Sequence, residues 1–182
     1  MTTPVDRYLA HLDEISGGLE PEFQPIESTT ELPRVTTVIY RDVPEQGHIT
    51  GMTYGLSLAE HPDWRAHRPE LCISVASGDI SWPLAAGYMA ESLRGTCPFN
   101  YGDVIDFGEI TPESKMSAFV VFAPAILDPE YYEDIDIGPT KIDIAGLYPI
   151  HASEREFIQE HGLDEFWRLE WDPYDVTRPP AV

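Results

Sequence analysis

His61, His67 and Cys72 are the closest this 182-residue chain comes to a set of metal ligands. Two imidazoles and a thiolate would suit zinc, yet no HExxH or CxxC occurs, and Pro62 breaks the helix that would align the two rings. Both histidines therefore read as exposed loop residues, His48 belongs with Gly47 to a turn, and His151 and His161 bracket a helix too distantly to share one face. No metal site is assigned. Nucleophilic chemistry is no better supported: there is no GxSxG elbow, the strings around Gly51 and Gly55 lack the lysine and spacing of a phosphate loop, and Lys115 and Lys141 are the only lysines that a Schiff base could use.

Carboxylates are abundant, and the densest run is Asp128-Pro129-Glu130-Tyr131-Tyr132-Glu133-Asp134-Ile135-Asp136. It is no calcium loop, since the glycine and the terminal glutamate of that pattern are missing. Two carboxylates facing each other across a groove would hydrolyse a glycosidic bond. A hydrolase using such a pair, or a loop metal held by His61 and His67, stays open as the alternative reading. Recognition is the favoured one. Asp128, Glu130, Glu133, Asp134 and Asp136 supply charge for steering, and Tyr131 and Tyr132 supply aromatic area, both suited to a basic protein partner. No catalytic residue and no cofactor is assigned.

The elements that must position these residues follow from pattern. Val5, Tyr8, Leu9 and Leu12 share one helical face before Gly17-Gly18, and Pro21, Pro25 and Pro33 mark Glu20 to Pro33 as loop. The run Val35 to Ile39 predicts a strand within Arg34 to Val43, turned by Pro44 to Gly47. From Ile49 to Leu58, Met52, Tyr54, Leu56 and Leu58 alternate with Gly51, Thr53, Gly55 and Ser57, a strand with a core face and a small, flat face. The glycines there suit the close approach of another element. Leu71 to Val75 is a further strand, and Ser81 as N-cap with Pro83 in the first turn opens a helix that runs to Gly95. Strands follow at Val104 to Phe107, Met116 to Ala123 and Ile142 to Leu147, with an acidic loop from Asp128 to Gly138. Ser153 and Glu156 form a capping box for a helix closing at Gly162, Asp164 to Trp171 is a short helix, and Asp172 to Val182 is an extended tail. Helix, strands, helix, strands and terminal helices, without regular βαβ alternation, predict an α+β fold with one mixed, largely antiparallel sheet and helices packed on it.

Composition narrows the functional classes. The chain carries 32 Asp and Glu against 11 Lys and Arg, a net charge of -21. Such a field repels phosphate backbones and anionic membranes and attracts basic surfaces, so nucleic acid and lipid are excluded as expected partners. With 42% hydrophobic and 11% aromatic residues the chain should fold, as one domain over residues 1–182. Cys72 and Cys97 make no disulfide framework and fit a reducing compartment, and no leading apolar run or membrane span is present. The expected location is cytoplasmic.

The strings Gly51-Met52-Thr53-Tyr54-Gly55-Leu56-Ser57, Pro69-Glu70-Leu71-Cys72-Ile73-Ser74 and Trp82-Pro83-Leu84-Ala85-Ala86-Gly87-Tyr88, in that order, resemble the Suppressor of fused domain. So do Tyr101-Gly102-Asp103-Val104-Ile105 and Ile142 to Ile150 leading into Glu154-Arg155-Glu156-Phe157. The resemblance runs from about Arg34 to Leu169, and it implies an α+β domain without established catalytic residues that works by binding proteins. Animal members bind a transcription factor with the help of an additional C-terminal domain, for which this chain has no room. Short bacterial members resemble antitoxins or immunity proteins that neutralise a toxin, often a nuclease. The resemblance thus implies an immunity protein whose acidic surface occupies the basic cleft of a toxin.

Overall fold

The computed structural model describes the whole chain, Met1–Val182. Its first helix, α1 (Pro4–Ser16), starts where Thr3 and Asp6 cap each other and Pro4 takes the first turn, and it stops at Gly17 in the left-handed region, φ 74°. Tyr8 and Leu12, four residues apart, are its buried stripe. Strands β1 (Glu22–Pro25), β2 (Thr36–Arg41), β3 (Ile49–Tyr54) and β4 (His67–Val75) precede α2 (Ser81–Leu93). Strands β5 (Val104–Asp106) and β6 (Ala118–Phe122) lead to the short α3 (Pro129–Tyr132) and β7 (Ile135–Asp136). The chain ends with β8 (Lys141–Ile150), α4 (Ala152–His161), α5 (Leu163–Trp167) and an irregular tail.

All eight strands join one sheet in the order β1-β2-β3-β4-β8-β6-β5, with β7 on β8. Every pairing is antiparallel except β4 with β8, which pair from His67↔Lys141 to Ile73↔Leu147. The expected α+β fold with a mixed, mostly antiparallel sheet is therefore present. Side chains alternate between two covered faces. On one, Ile39, Leu71, Ile73, Val121 and Leu147 pack beneath Trp82, Ala86 and Met89 of α2. On the other, Val38, Met52, Cys72 and Ile144 meet Tyr8 and Leu12 of α1, while Val120, Tyr148 and Ile150 meet Ile158 of α4 and Phe166 of α5. At about 2 kcal/mol per large side chain removed from water, these layers supply the main drive to fold.

The flat face of β3 is where α2 comes closest. A Cβ on Gly51 would lie 2.4 Å from Pro83 Cβ, and one on Gly87 would lie 2.2 Å from Thr37 Oγ1, so glycine at both sites lets helix and strand touch. The strand expected to run to Leu58 ends at Tyr54, because Gly55 (φ 129°) turns the chain into a 3-10 turn over Leu56–Leu58. Glu70, fully buried on β4, organises that turn. Its carboxylate accepts from the N–H groups of Gly55, Leu56 and Ser57 at 2.9, 3.2 and 3.1 Å and from the hydroxyls of Thr53 and Ser57. Burial pushes its pKa up, against the pull of these donors.

Other local expectations shift for identifiable reasons. Glu22–Pro25 is strand rather than loop, because an edge strand tolerates Pro25. The N-cap of α2 is Ile80, with Asp79 Oδ1 accepting the Ser81 N–H at 2.9 Å; that of α4 is His151, whose N–H donates to Glu154 Oε1 at 2.7 Å. The tail is anchored along its length: Tyr174 O accepts the Ala76 N–H at 2.9 Å, Val176 enters the α2-side core, and Arg178 meets the buried Glu154 at 2.6 and 2.9 Å. Trp171 stacks on that guanidinium at 4.8 Å.

Candidate functional site

The acidic run is not a free loop. Asp128 is the N-cap of α3 and Pro129 its first residue, so a single helical turn forms, with the Tyr131 N–H donating to Asp128 O at 2.8 Å and the Glu133 N–H to Pro129 O at 2.9 Å. Its seat is α1, where His11 Nε2 lies 2.7 Å from Tyr131 O, and Tyr132 packs on the α1-side core. Past the turn, Asp134 takes φ 58° and Ile135 pairs with Ile142 of β8, which returns the chain to the sheet. The segment is therefore a fastened ridge.

Its carboxylates differ in their freedom. Asp128, Glu130 and Glu133 are exposed. Asp136 is exposed and accepts the Gly138 N–H at 2.9 Å, and with Glu130, Asp134 and Glu14 of α1 it lines a depression of about 380 Å³ that also holds Arg7 and His11. Asp134 is engaged by Lys141 Nζ at 2.8 Å and His67 Nε2 at 3.2 Å. Its hydrogen bond from Lys141 holds its carboxyl below the ordinary range and raises Lys141 in return.

His67 links this ridge to a larger concavity. As the first residue of β4 it sets Nδ1 2.9 Å from Asp143 Oδ2 on the neighbouring β8, and Asp143 Oδ1 accepts the Asp134 N–H at 2.8 Å. Beside the pair opens a cleft of about 550 Å³ between the segments 63–69 and 98–101, floored by β8. Trp64 joins its walls by donating its indole N–H to Pro98 O at 2.9 Å. Phe99, buried, is held at φ 55°, a region that a bulky residue adopts only when its surroundings impose it. Tyr101 projects at the mouth, 52% exposed, with its ring 5.2 Å from that of Phe122. Partial burial, with Tyr132, Glu133 and Asp143 nearby, pushes its phenol up to about 12. Arg65 and Arg68 both line the cleft; Arg65 is exposed, and Arg68 lies 3.8 Å from Glu60.

The structure thus gathers Glu130, Asp134 and Asp136 on one ridge with Tyr131 and Tyr132 beneath them, and adds Glu14, His67 and Asp143, which the sequence pattern did not single out. His61, His67 and Cys72 do not converge, and no cluster of three or more His, Cys, Asp or Glu forms a metal-ligand set. His61 contacts Thr96 O and Trp64, and Cys72 is buried on the α1 side, where burial pushes its thiol up to about 12. His67 is a strand residue with a carboxylate partner, not the exposed loop histidine expected. No helix is long and apolar enough to cross a membrane.

The fold has solved counterparts. A Suppressor of fused homologue from Neisseria gonorrhoeae superposes with a TM-score of 0.73 at 17% identity, covering 97% of this chain and 95% of its own. Drosophila Suppressor of Fused matches with a TM-score of 0.67 at 16% identity over 99% of this chain, which spans 51% of the fly protein. A chain of the Sufu–Fu complex matches with a TM-score of 0.60 at 14% identity, covering 98% of this chain and 92% of that one. No curated protein matches the sequence. The family model of the Suppressor of fused protein (SUFU) matches residues 31–179. The chain accordingly belongs to the Suppressor of fused family.

Proposed function

We propose that this chain is a non-enzymatic protein-binding domain that neutralises a basic partner, acting as an immunity protein or antitoxin through its acidic surface. The observation that carries the reading is the ridge of Asp128, Glu130 and Glu133. These carboxylates are exposed, ion-paired to no basic side chain of their own chain, and mounted on a turn fastened to α1 and β8. Charge on a fixed support steers encounter without an ordering cost at the moment of binding. The family adds weight, since one matched fold was solved as a Sufu–Fu complex. The net charge of -21 gives a basic partner long-range attraction. The hydrolase alternative has only the His67–Asp143 pair in its favour. Both ring nitrogens of His67 are committed to carboxylates, which leaves neither free to take a proton from a substrate.

The test is to express the product of the adjoining gene in a sensitive host, alone and together with this chain. Growth arrest by the first, relieved by the second through a complex that dissociates in high salt, is the expected result. Arrest that persists despite co-expression overturns the immunity role.

A further inference from the structure

We propose that the cleft between Trp64 and Tyr101 receives an arginine side chain of the basic partner, with Asp143 as its acceptor. This rests on the reading of the chain as a binder of basic proteins and names the side chain that the surface selects. The cavity of about 550 Å³ lies in the range of pockets that enclose small ligands. Its indole N–H is already satisfied by Pro98 O, so Trp64 offers a ring rather than a donor. Tyr101 offers a second ring at the mouth. Aromatic faces attract a cation, and a planar guanidinium stacks on them better than an ammonium does.

The cleft also holds two carboxylates that could accept from such a side chain, Asp63 and Asp143. Asp143 lines the cleft with its side chain 43% exposed. Its Oδ1 meets His67 Nδ1 and the Asp134 N–H and its Oδ2 meets His67 Nδ1, which leaves a lone pair on Oδ2 for a further N–H donor. Asp143 accepts the N–H of Asp134 at 2.8 Å, so the acidic ridge adjoins the cleft. The imposed conformation of Phe99 fixes the segment that carries Tyr101, as expected of a preformed pocket. Two cations of the wrong sign line the cleft: Arg65, which is exposed, and Arg68, whose guanidinium is turned onto Ser57 O and Ala59 O at 3.1 and 2.9 Å and lies 3.8 Å from Glu60. Arg65 weakens the site without blocking it, and Arg68 is already held by carbonyls of its own chain.

The experiment uses the ¹⁵N-labelled full chain and follows the Trp64 indole N–H resonance, assigned through Trp64→Phe. The probes are N-acetyl-arginine amide, its neutral citrulline isostere and N-acetyl-glutamate amide. The arginine probe is expected to shift the resonance saturably, with citrulline weaker by about tenfold and glutamate without effect. Asp143→Asn and the exposed-site variant Tyr101→Leu should weaken arginine binding, Arg65→Ala should tighten it about twofold, and the exposed Glu31→Gln, outside the cleft and the ridge, should leave it unchanged. Equal binding of citrulline, preference for glutamate, loss of binding in Arg65→Ala or no saturable shift each overturns the proposal. If the cleft ignores arginine while a basic partner still binds the ridge, this inference falls and the proposed function stands. If arginine binds and no basic partner is neutralised, the proposed function falls.

Discussion

His67 Nδ1 lies 2.9 Å from Asp143 Oδ2 across the parallel strands β4 and β8, and the same carboxylate takes the Asp134 N–H at 2.8 Å. One imidazole thereby joins the floor of the cleft to the end of the acidic ridge. His67 also reaches Asp134 Oδ1 at 3.2 Å, so its ring bridges the two carboxylates.

Replacing His67 by Phe should loosen the ridge rather than unfold the protein. Half-exposed pairs of this kind contribute about 1 kcal/mol or less, so the amide exchange of Asp134 and Ile135 should rise by up to about fivefold while that of α2 is unchanged. Hydrogen exchange measured residue by residue checks this, and uniform acceleration across the sheet would contradict it.

The tail should be released by acid. Burial pushes the Glu154 carboxyl up, but the Arg178 guanidinium and the N–H groups of His151 and Ala181 outweigh it and hold the group below its ordinary 4.5. A depressed carboxyl contributes stability that is present above its unfolded value and lost as pH falls through the lower folded value. The contribution is therefore intact at neutral pH and fades below about 4.5. Glu154→Gln strands Arg178 in a buried site and should cost about 3 kcal/mol at neutral pH, with less loss on acidification than the wild type shows. Thermal unfolding followed across this range by tryptophan fluorescence, to which Trp171 on Arg178 contributes, measures both effects.

Glu70 should be as intolerant of amidation. In Glu70→Gln the NH₂ group would face the N–H groups of Gly55 and Ser57 in place of Oε2, or that of Leu56 in place of Oε1, leaving donors opposed in the core either way. About 2–4 kcal/mol of stability should be lost, seen as a lower urea midpoint with an unchanged slope. A neutral substitution would contradict the role given to this carboxylate.

Gly51→Ala should destabilise by about 1–3 kcal/mol, because its Cβ would meet Pro83 Cβ at 2.4 Å and Pro83 Cα at 3.0 Å, and neither strand nor helix can yield without repacking. Gly78→Ala is the control, since nothing lies within 4 Å of its Cβ, and it should change stability little. Equal midpoints for the two variants would deny the tight contact of α2 on β3.

The elements with strong local signals were legible in the sequence: α1 through Tyr8 and Leu12, α2 through Pro83 in its first turn and Gly95 beyond its end, and the flat face of β3 through Gly51. What depended on distant partners was not. Strand β1 exists because β2 pairs with it, β7 because Ile135 meets Ile142, and the tail is fixed by a glutamate 24 residues away from Arg178. His151 caps α4 although the local pattern favoured Ser153, because Glu154 reaches back to its N–H while its ring meets Arg178 O. The acidic ridge was visible as a run of charge, but its division into free and engaged carboxylates was not. The cleft assembles three separate segments, so no spacing in the chain announced it; only the pairing of β4 with β8 brings His67 to Asp143.

The most direct measurement is the association rate of the basic partner, captured with a tagged copy from the native host, as a function of salt for the wild type and for Glu130→Lys/Glu133→Lys. The expected result is a rate that falls steeply with ionic strength in the wild type and lies about tenfold or more lower in the variant at low salt, with the melting temperature unchanged. An unchanged rate in the variant, or a captured partner that is itself acidic, would contradict the acidic ridge as the binding surface.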